Sequence, residues 1–131
     1  MISDVARLMR TVFDRRRVAW LAEDLDGYMD CWAEDMVIEV PGRTITGRDA
    51  YRDLAAGSFA WGRPVSFVVH HLGVDGDVVL ADWTITVERR SDRAPVAWRG
   101  MSTCALDADG RIRWWREFYE DPAALRAART G

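Results

Sequence analysis

The chain has 131 residues, 49% of them hydrophobic, and a net charge of -3, which bounds it to one domain with a substantial core and gives it no overall attraction to a phosphate backbone. It contains no lysine, asparagine or glutamine, which excludes Schiff-base catalysis, a phosphate-loop lysine and amide-built oxyanion holes. No run approaches the roughly eighteen apolar residues of a membrane span, and the N-terminus has no apolar signal core, so a cytoplasmic protein with no membrane partner is expected.

Val5, Leu8, Met9, Val12 and Phe13 recur at helical spacing and the pattern resumes at Val18, Trp20 and Leu21, which predicts one long first helix. Within it, Arg15-Arg16-Arg17 reads as a solvated helix face. Asp24 is placed to cap a second helix in which Leu25, Tyr28, Met29 and Trp32 form an inward stripe, slightly weakened by Gly27. Alternation from Met36 to Val40, stopped by Pro41-Gly42, predicts a short strand, with a further strand fragment at Arg43 to Ile45. A third helix is expected over 48–56, closed by Gly57.

From Pro64 onward the period becomes two, with strands expected near 64–73, 78–90, 95–107 and 110–119. They are separated by Asp75-Gly76-Asp77, Ser91-Asp92-Arg93 and Asp107-Ala108-Asp109-Gly110, the pattern of an antiparallel meander. Pro122 opens a last short helix through Ala128. No repeat, linker or low-complexity tract divides the chain, so residues 1–131 read as a single α+β domain, helices first and then a long curved sheet.

With only Cys31, Cys104, His70 and His71 available, and no Cys-x-x-Cys or His-x-x-x-His spacing, no metal site is expected. Both cysteines read as reduced core residues. Gly-x-Gly-x-x-Gly and Gly-x-Ser-x-Gly are also missing, which removes the sequence support for dinucleotide binding and for a serine hydrolase. No cofactor is expected, and the chemistry rests on carboxylates, tyrosine, histidine, arginine or water. The best lead is the last strand: if it is regular, Arg113, Trp115, Glu117 and Tyr119 share one face, opposite Trp114, Arg116 and Phe118.

The order of elements and several strings together resemble the nuclear transport factor 2-like superfamily, in particular its SnoaL-like, ketosteroid isomerase and limonene epoxide hydrolase branches. The strings are Asp24-Leu25-Asp26-Gly27, Trp32-Ala33-Glu34-Asp35, Gly47-Arg48-Asp49-Ala50, Asp75-Gly76-Asp77, and Asp109-Gly110-Arg111-Ile112 leading into Trp115-Arg116-Glu117-Phe118-Tyr119. The resemblance covers almost the whole chain and implies a curved antiparallel sheet wrapped around three N-terminal helices, a cystatin-like α+β barrel with a conical cavity. Fold alone assigns no reaction.

Carried over residue by residue, the resemblance implies mostly departures. The general base of the ketosteroid isomerases falls on Val40, and their two oxyanion donors fall near Arg16 and on Ser102. The water-positioning tyrosine and asparagine of limonene epoxide hydrolase correspond to Ile38 and Val40, and its central arginine and aspartate to Trp83 and Ile85. Its second aspartate alone is matched, by the acid Glu117, near the place where SnoaL-like cyclases also set an aspartate. Their histidine has no clear equivalent in this chain.

The same correspondence, with hydropathy in agreement, turns Ala81, Trp83, Ile85 and Val87 inward and Asp82 outward. By that parity Ile38 and Val40 face in with Glu39 out, and Trp98, Gly100, Ser102 and Cys104 line the next strand. The correspondence also turns His71 inward. Of the seven tryptophans, Trp32, Trp61, Trp83, Trp98 and Trp115 are candidates to converge on one pocket, with Trp20 and Trp114 packing elsewhere. The resulting cavity is expected to be aromatic and nearly uncharged. Such a wall disfavours the ionised form of a carboxyl, which suits Glu117 to general acid or base work.

The expected activity is therefore that of a cofactor-independent cyclase, isomerase, dehydratase or epoxide hydrolase of secondary metabolism, acting on a hydrophobic polyketide, terpenoid or steroid-like substrate. Glu117 would move the proton, with Tyr119, His71, Tyr28 or Ser102 orienting substrate or water. Against this stand plainer readings: Glu117 paired with Arg99 or Arg113 to fix the sheet, the tyrosines and His71 bonded to backbone, and the cavity serving a non-catalytic binding or assembly module. A flat or polycyclic ligand suits the rings, and amines fit the same physics. Nucleic acid is not expected as a partner. A homodimer is expected through the outer sheet face, where Val68, Thr84, Thr86 and Met101 would lie.

Overall fold

The first helix, α1 (Asp4–Leu21), buries Met9, Val12, Phe13, Arg16 and Ala19 in a computed structural model that describes residues 4–130. These positions follow the i, i+3, i+4 stripe of a helix with one covered face. Leu8 and Val18 lie off that stripe and are exposed. The stripe runs through Arg16, so the arginine run is not uniformly solvated: Arg15 and Arg17 are exposed and Arg16 is only 7% exposed.

Helix α2 (Leu25–Met29) is a single turn capped by Asp24, whose carboxylate accepts from the Gly27 N–H at 3.0 Å. A side chain at Gly27 would collide with that carboxylate, so this glycine serves the cap. The turn is shorter than expected, and strand β1 (Trp32–Val40) takes over Trp32 and the three residues between it and Met36. Strand β2 (Arg43–Thr46) returns along it. Helix α3 (Arg48–Trp61) runs straight through Gly57, where a helix end was expected, because a lone glycine weakens a helix without breaking it. Strands β3 (Gly62–Asp75), β4 (Val78–Arg89), β5 (Pro95–Leu106) and β6 (Ile112–Tyr119) then form the meander, and α4 (Pro122–Thr130) closes the chain.

The six strands lie in the order β2-β1-β6-β5-β4-β3. All junctions are antiparallel except β1 with β6, which is parallel, so the expected all-antiparallel sheet is mixed at one seam. The sheet is curved and unclosed, and register shifts mark where it bends. In β3 they fall between Pro64 and Ser66 and between Val69 and His71, and against β6 between Ala105 and Leu106. Each inserts an unpaired residue that twists the strand and reverses side-chain parity beyond it. Val69 pairs with inward Trp83 but His71 pairs with outward Asp82, so the His71 side chain is 82% exposed on the outer face. The shift in β6 likewise throws Arg113 out to Asp77 while Ile112 is fully buried.

Elsewhere the alternation holds: β4 buries Val79, Ala81, Trp83, Ile85 and Val87. Trp83 lies across β5 at Gly100, where a Cβ would stand 2.6 Å from both the indole and the Phe118 carbonyl. Substituting Gly100→Ala is expected to destabilise the fold by about 1–3 kcal/mol through this overlap. Urea unfolding of the variant and the wild type would measure it, and an unchanged midpoint would refute the packing described.

Candidate active site

Between the sheet and the helices lies a cavity of about 470 Å³. Its walls come from every layer: Arg16 and Trp20 of α1, Tyr28 of α2, Ile38 and Val40 of β1, and Tyr51, Leu54, Ser58, Phe59 and Trp61 of α3. Ile85 and Val87 of β4, Trp98 of β5, and Glu117 and Tyr119 of β6 complete the sheet side. At the mouth stand Arg43 of β2 and one face of α4, with Pro122, Leu125, Arg126 and Arg129. Leu125 is buried, and the Arg89 guanidinium holds α4 through the Ala128 carbonyl at 2.6 Å.

Glu117 is half-buried in this wall with both oxygens engaged. The Trp115 indole N–H donates to Oε1 at 2.9 Å and the Tyr119 hydroxyl to Oε2 at 2.7 Å. The ion pairs foreseen for it do not form among the described residues: Arg99 is with Asp82 and Arg113 with Asp77. Burial first, then the charge and hydrogen bond of Glu117, push the Tyr119 phenol well above the ordinary tyrosine range. Tyr119 therefore stays protonated and donates to the carboxylate throughout the usual pH range.

Facing this acid is a second polar cluster. Arg16 donates from Nη2 to the Tyr28 hydroxyl at 3.3 Å, and the Tyr28 and Tyr51 hydroxyls are 2.7 Å apart. The Arg16 guanidinium lies 4.7 Å from the Trp115 ring centre, 5.0 Å from Phe67 and 5.4 Å from Tyr28, positions that favour a cation. Burial opposes its charge, but the oxygens of Tyr28, Tyr51 and Glu117 more than restore it, and the guanidinium stays charged. Burial, and then Tyr28, hold the Tyr51 phenol well above its ordinary value, so it too remains a neutral hydroxyl. One indole thus separates cation from acid: Trp115 offers its face to Arg16 and its N–H to Glu117.

The structure brings together Glu117, Tyr119, Tyr28, Ile38, Val40, Trp61, Ile85 and Trp98 at the cavity. Five other expected lining residues stand behind the wall. Trp32 and Trp115 are buried in an aromatic chain with Tyr51 and Phe13. Trp83 donates its indole N–H to the Ser102 hydroxyl at 2.8 Å, so each occupies the other. Cys104 is fully buried, its thiol pushed by that burial up to about 12. His71, expected inward, is bonded to Asp82 at 2.9 Å on the outer face and takes no part in the cavity. The expected near-absence of charge is overturned, since four arginines and one carboxylate line the space.

Sequence reasoning passed over Arg16, Trp20, Tyr51 and the arginines of the mouth. Arg16 was marked by its spacing, three and four residues beyond Phe13 and Val12 on the buried stripe. Tyr51, Leu54, Ala55 and Ser58 carry the same signal along α3. Among the described residues no three His, Cys, Asp or Glu side chains form a metal-binding group, and no helix is long and apolar enough to cross a membrane.

Residues 10–115 match the family model of the SnoaL-like domain. No curated protein matches the chain. A proposed isomerase from Bacillus subtilis superposes with a TM-score of 0.86 at 19% identity, over 98% of this chain and 97% of that one. A proposed SnoaL-like polyketide cyclase from Shewanella denitrificans OS-217 gives 0.75 at 11% identity over 93% and 97%. An LEH-like epoxide hydrolase from M. tuberculosis gives 0.71 at 23% identity over 84% and 80%. These likenesses fix the fold as the nuclear transport factor 2-like cone.

Because Ser102 is spent on Trp83, its removal separates structure from binding. Ser102→Ala leaves a buried indole N–H without an acceptor and is expected to lose about 1–3 kcal/mol of stability, with the affinity for any cavity ligand unchanged. Chemical unfolding and titration calorimetry on the same variant check both halves, and a large loss of affinity in a stable protein would return Ser102 to the wall.

Proposed function

Since the chain belongs to the SnoaL-like domain family, we propose that it is a cofactor-independent enzyme that works on a hydrophobic small molecule by general acid–base chemistry, as a cyclase, isomerase, dehydratase or epoxide hydrolase. The observation that carries this reading is Glu117, the one carboxylate in the cavity wall among the described residues, held in a fixed orientation by Trp115 and Tyr119. A positioned carboxyl in reach of a bound molecule is what proton transfer requires.

The roles follow from the two clusters. Glu117 takes a proton from the substrate or from water, or returns one, while Tyr119 keeps it aimed as a protonated donor. Negative charge that develops on a substrate oxygen falls to the Arg16, Tyr28 and Tyr51 side, where the donors are already in place. The rings and aliphatic groups around them hold an apolar body and keep water scarce, which strengthens both interactions. The related structures described as a polyketide cyclase and an epoxide hydrolase are in keeping with these reaction types.

The same reading includes a homodimer. Val68, Met101 and Phe118 are 47%, 44% and 51% exposed on the outer sheet face, where Met101 and Phe118 are paired neighbours, and an apolar patch of this kind marks an interaction surface. Sedimentation of wild type is expected to give a dimer and Phe118→Glu a monomer, and a monomeric wild type would refute it.

For the chemistry, Glu117→Gln keeps the shape of the side chain and removes its basicity. With a substrate found by screening apolar epoxides, polycyclic ketones and polyketides, turnover is expected to fall roughly 10²–10⁴-fold with binding retained. Tyr119→Phe is expected to fall between that variant and wild type. Equal turnover by Glu117→Gln would remove this residue from the mechanism, and binding without conversion by any form would make the protein a binding module.

A further inference from the structure

Several buried donors of the cavity go unanswered among the described residues. The Arg16 Nε and the Trp61 and Trp98 indole nitrogens are buried without a partner, and each belongs to a lining residue. The acceptor that could answer them, Glu117, is already engaged by Trp115 and Tyr119. Among the described residues four arginines line the space against that one acid, in a chain whose net charge is -3. Arg16 has no ion-pair partner among the described residues, nor have Arg43 and Arg126 at the mouth.

The Glu117 charge favours the Arg16 cation from beyond ion-pair distance, with Trp115 between them, and a buried cation so placed is only partly compensated. Where such a cation forms part of a cavity wall, a ligand anion supplies what the protein omits. The ring faces point the same way. On the cavity wall the Tyr28 and Trp61 rings already carry the Arg16 and Arg129 guanidiniums, at 5.4 Å and 5.1 Å from the ring centres, which sets positive charge where an ammonium ligand would have to approach.

We propose that the cavity takes an aromatic or polycyclic carboxylate, its anionic oxygens on the Arg16 guanidinium and its apolar body along Trp20, Phe59, Trp61 and Trp98, with Arg43 and Arg126 drawing the anion to the mouth. This rests on the reading of the cavity as the substrate site and narrows it from a hydrophobic molecule to an acidic one. Guanidinium and carboxylate are matched in shape and charge, and the pairing is strongest where water is excluded. The arrangement also disfavours amines, which the aromatic content alone would have admitted.

The test is a matched series of 2-naphthoate, its methyl ester and 2-naphthylmethylamine, titrated by calorimetry into wild type, Arg16→Met and Arg126→Ala. Wild type is expected to bind the acid at least about tenfold more tightly than the ester, and the amine more weakly than either. Arg126→Ala is expected to weaken the acid several-fold, more at low salt than at high, and to leave the ester unchanged. Arg16→Met replaces a buried charge that makes no ion pair by an apolar chain of similar length, so it is expected to keep or raise Tm while abolishing the preference for acid over ester. A structural arginine would instead lower Tm and leave the preference intact.

Ester or amine binding as tightly as acid to wild type overturns the proposal even if Arg16→Met does not fold. These outcomes are separable from those for catalysis. Acid preference without turnover leaves the charge inference standing and removes the enzyme. Turnover lost in Glu117→Gln with no acid preference does the reverse.

Discussion

A guanidinium that forms no ion pair among the described residues stands inside the cone, and the placing of four elements is tied to how it is accommodated. Charge in an apolar interior is tolerated only among electron-rich groups. Arg16 finds them in rings from α2, β3 and β6, namely Tyr28, Phe67 and Trp115, and in the hydroxyl that Tyr28 shares with Tyr51 of α3. Each ring depends on a local device. Tyr28 sits one turn after the Asp24 cap, Phe67 lies between the two register shifts of β3, and Trp115 follows the shift in β6. Displacing any of these by one residue would turn its ring away from the cation.

The tryptophans divide along the same line. Trp32, Trp83 and Trp115 are essentially inaccessible and make the sheet a rigid wall. Two of them are fixed further by their indole hydrogens, Trp83 on Ser102 and Trp115 on Glu117. Trp20, Trp61 and Trp98 border open space, the last two with unpartnered indole hydrogens and rings 6.3 Å apart. Trp83 and Trp115, with satisfied polar ends, stiffen the wall, while Trp61 and Trp98 are left facing whatever enters.

Much of this was legible in the chain, and what was not has common causes. Period two in β4, with Trp83 and Ile85 in and Asp82 out, is a property of successive residues and was read correctly, as were Ile38, Val40 and the inward side of β5. Glu117 and Tyr119 on one cavity-facing side of β6 followed from the same rule. His70 and His71 defeated it because the shift after Val69 is set by the bend of the sheet against β4 rather than by its own residues. Arg16 defeated a different rule: hydropathy places arginine outside, and its burial is stabilised by rings 12 to 99 residues away that no local window contains. Trp83 and Ser102 were placed inward correctly, yet direction alone did not show that they would bond each other behind the wall.

The parallel seam between β1 and β6 bears on how the molecule comes into being. Glu39 and Arg116 face each other there across 77 positions of chain, and the seam includes Trp32 against Ile112 and Ile38 against Trp115. Until β6 has been synthesised, β1 has only the short β2 beside it and its buried residues lack their cover. Closing so long a loop is slow relative to forming a hairpin. Strand β1 therefore waits for nearly the whole chain, and the strand that carries Glu117 is the one that covers it. The acid of the cavity thus arrives with the cover of β1, and α4 follows it to the mouth.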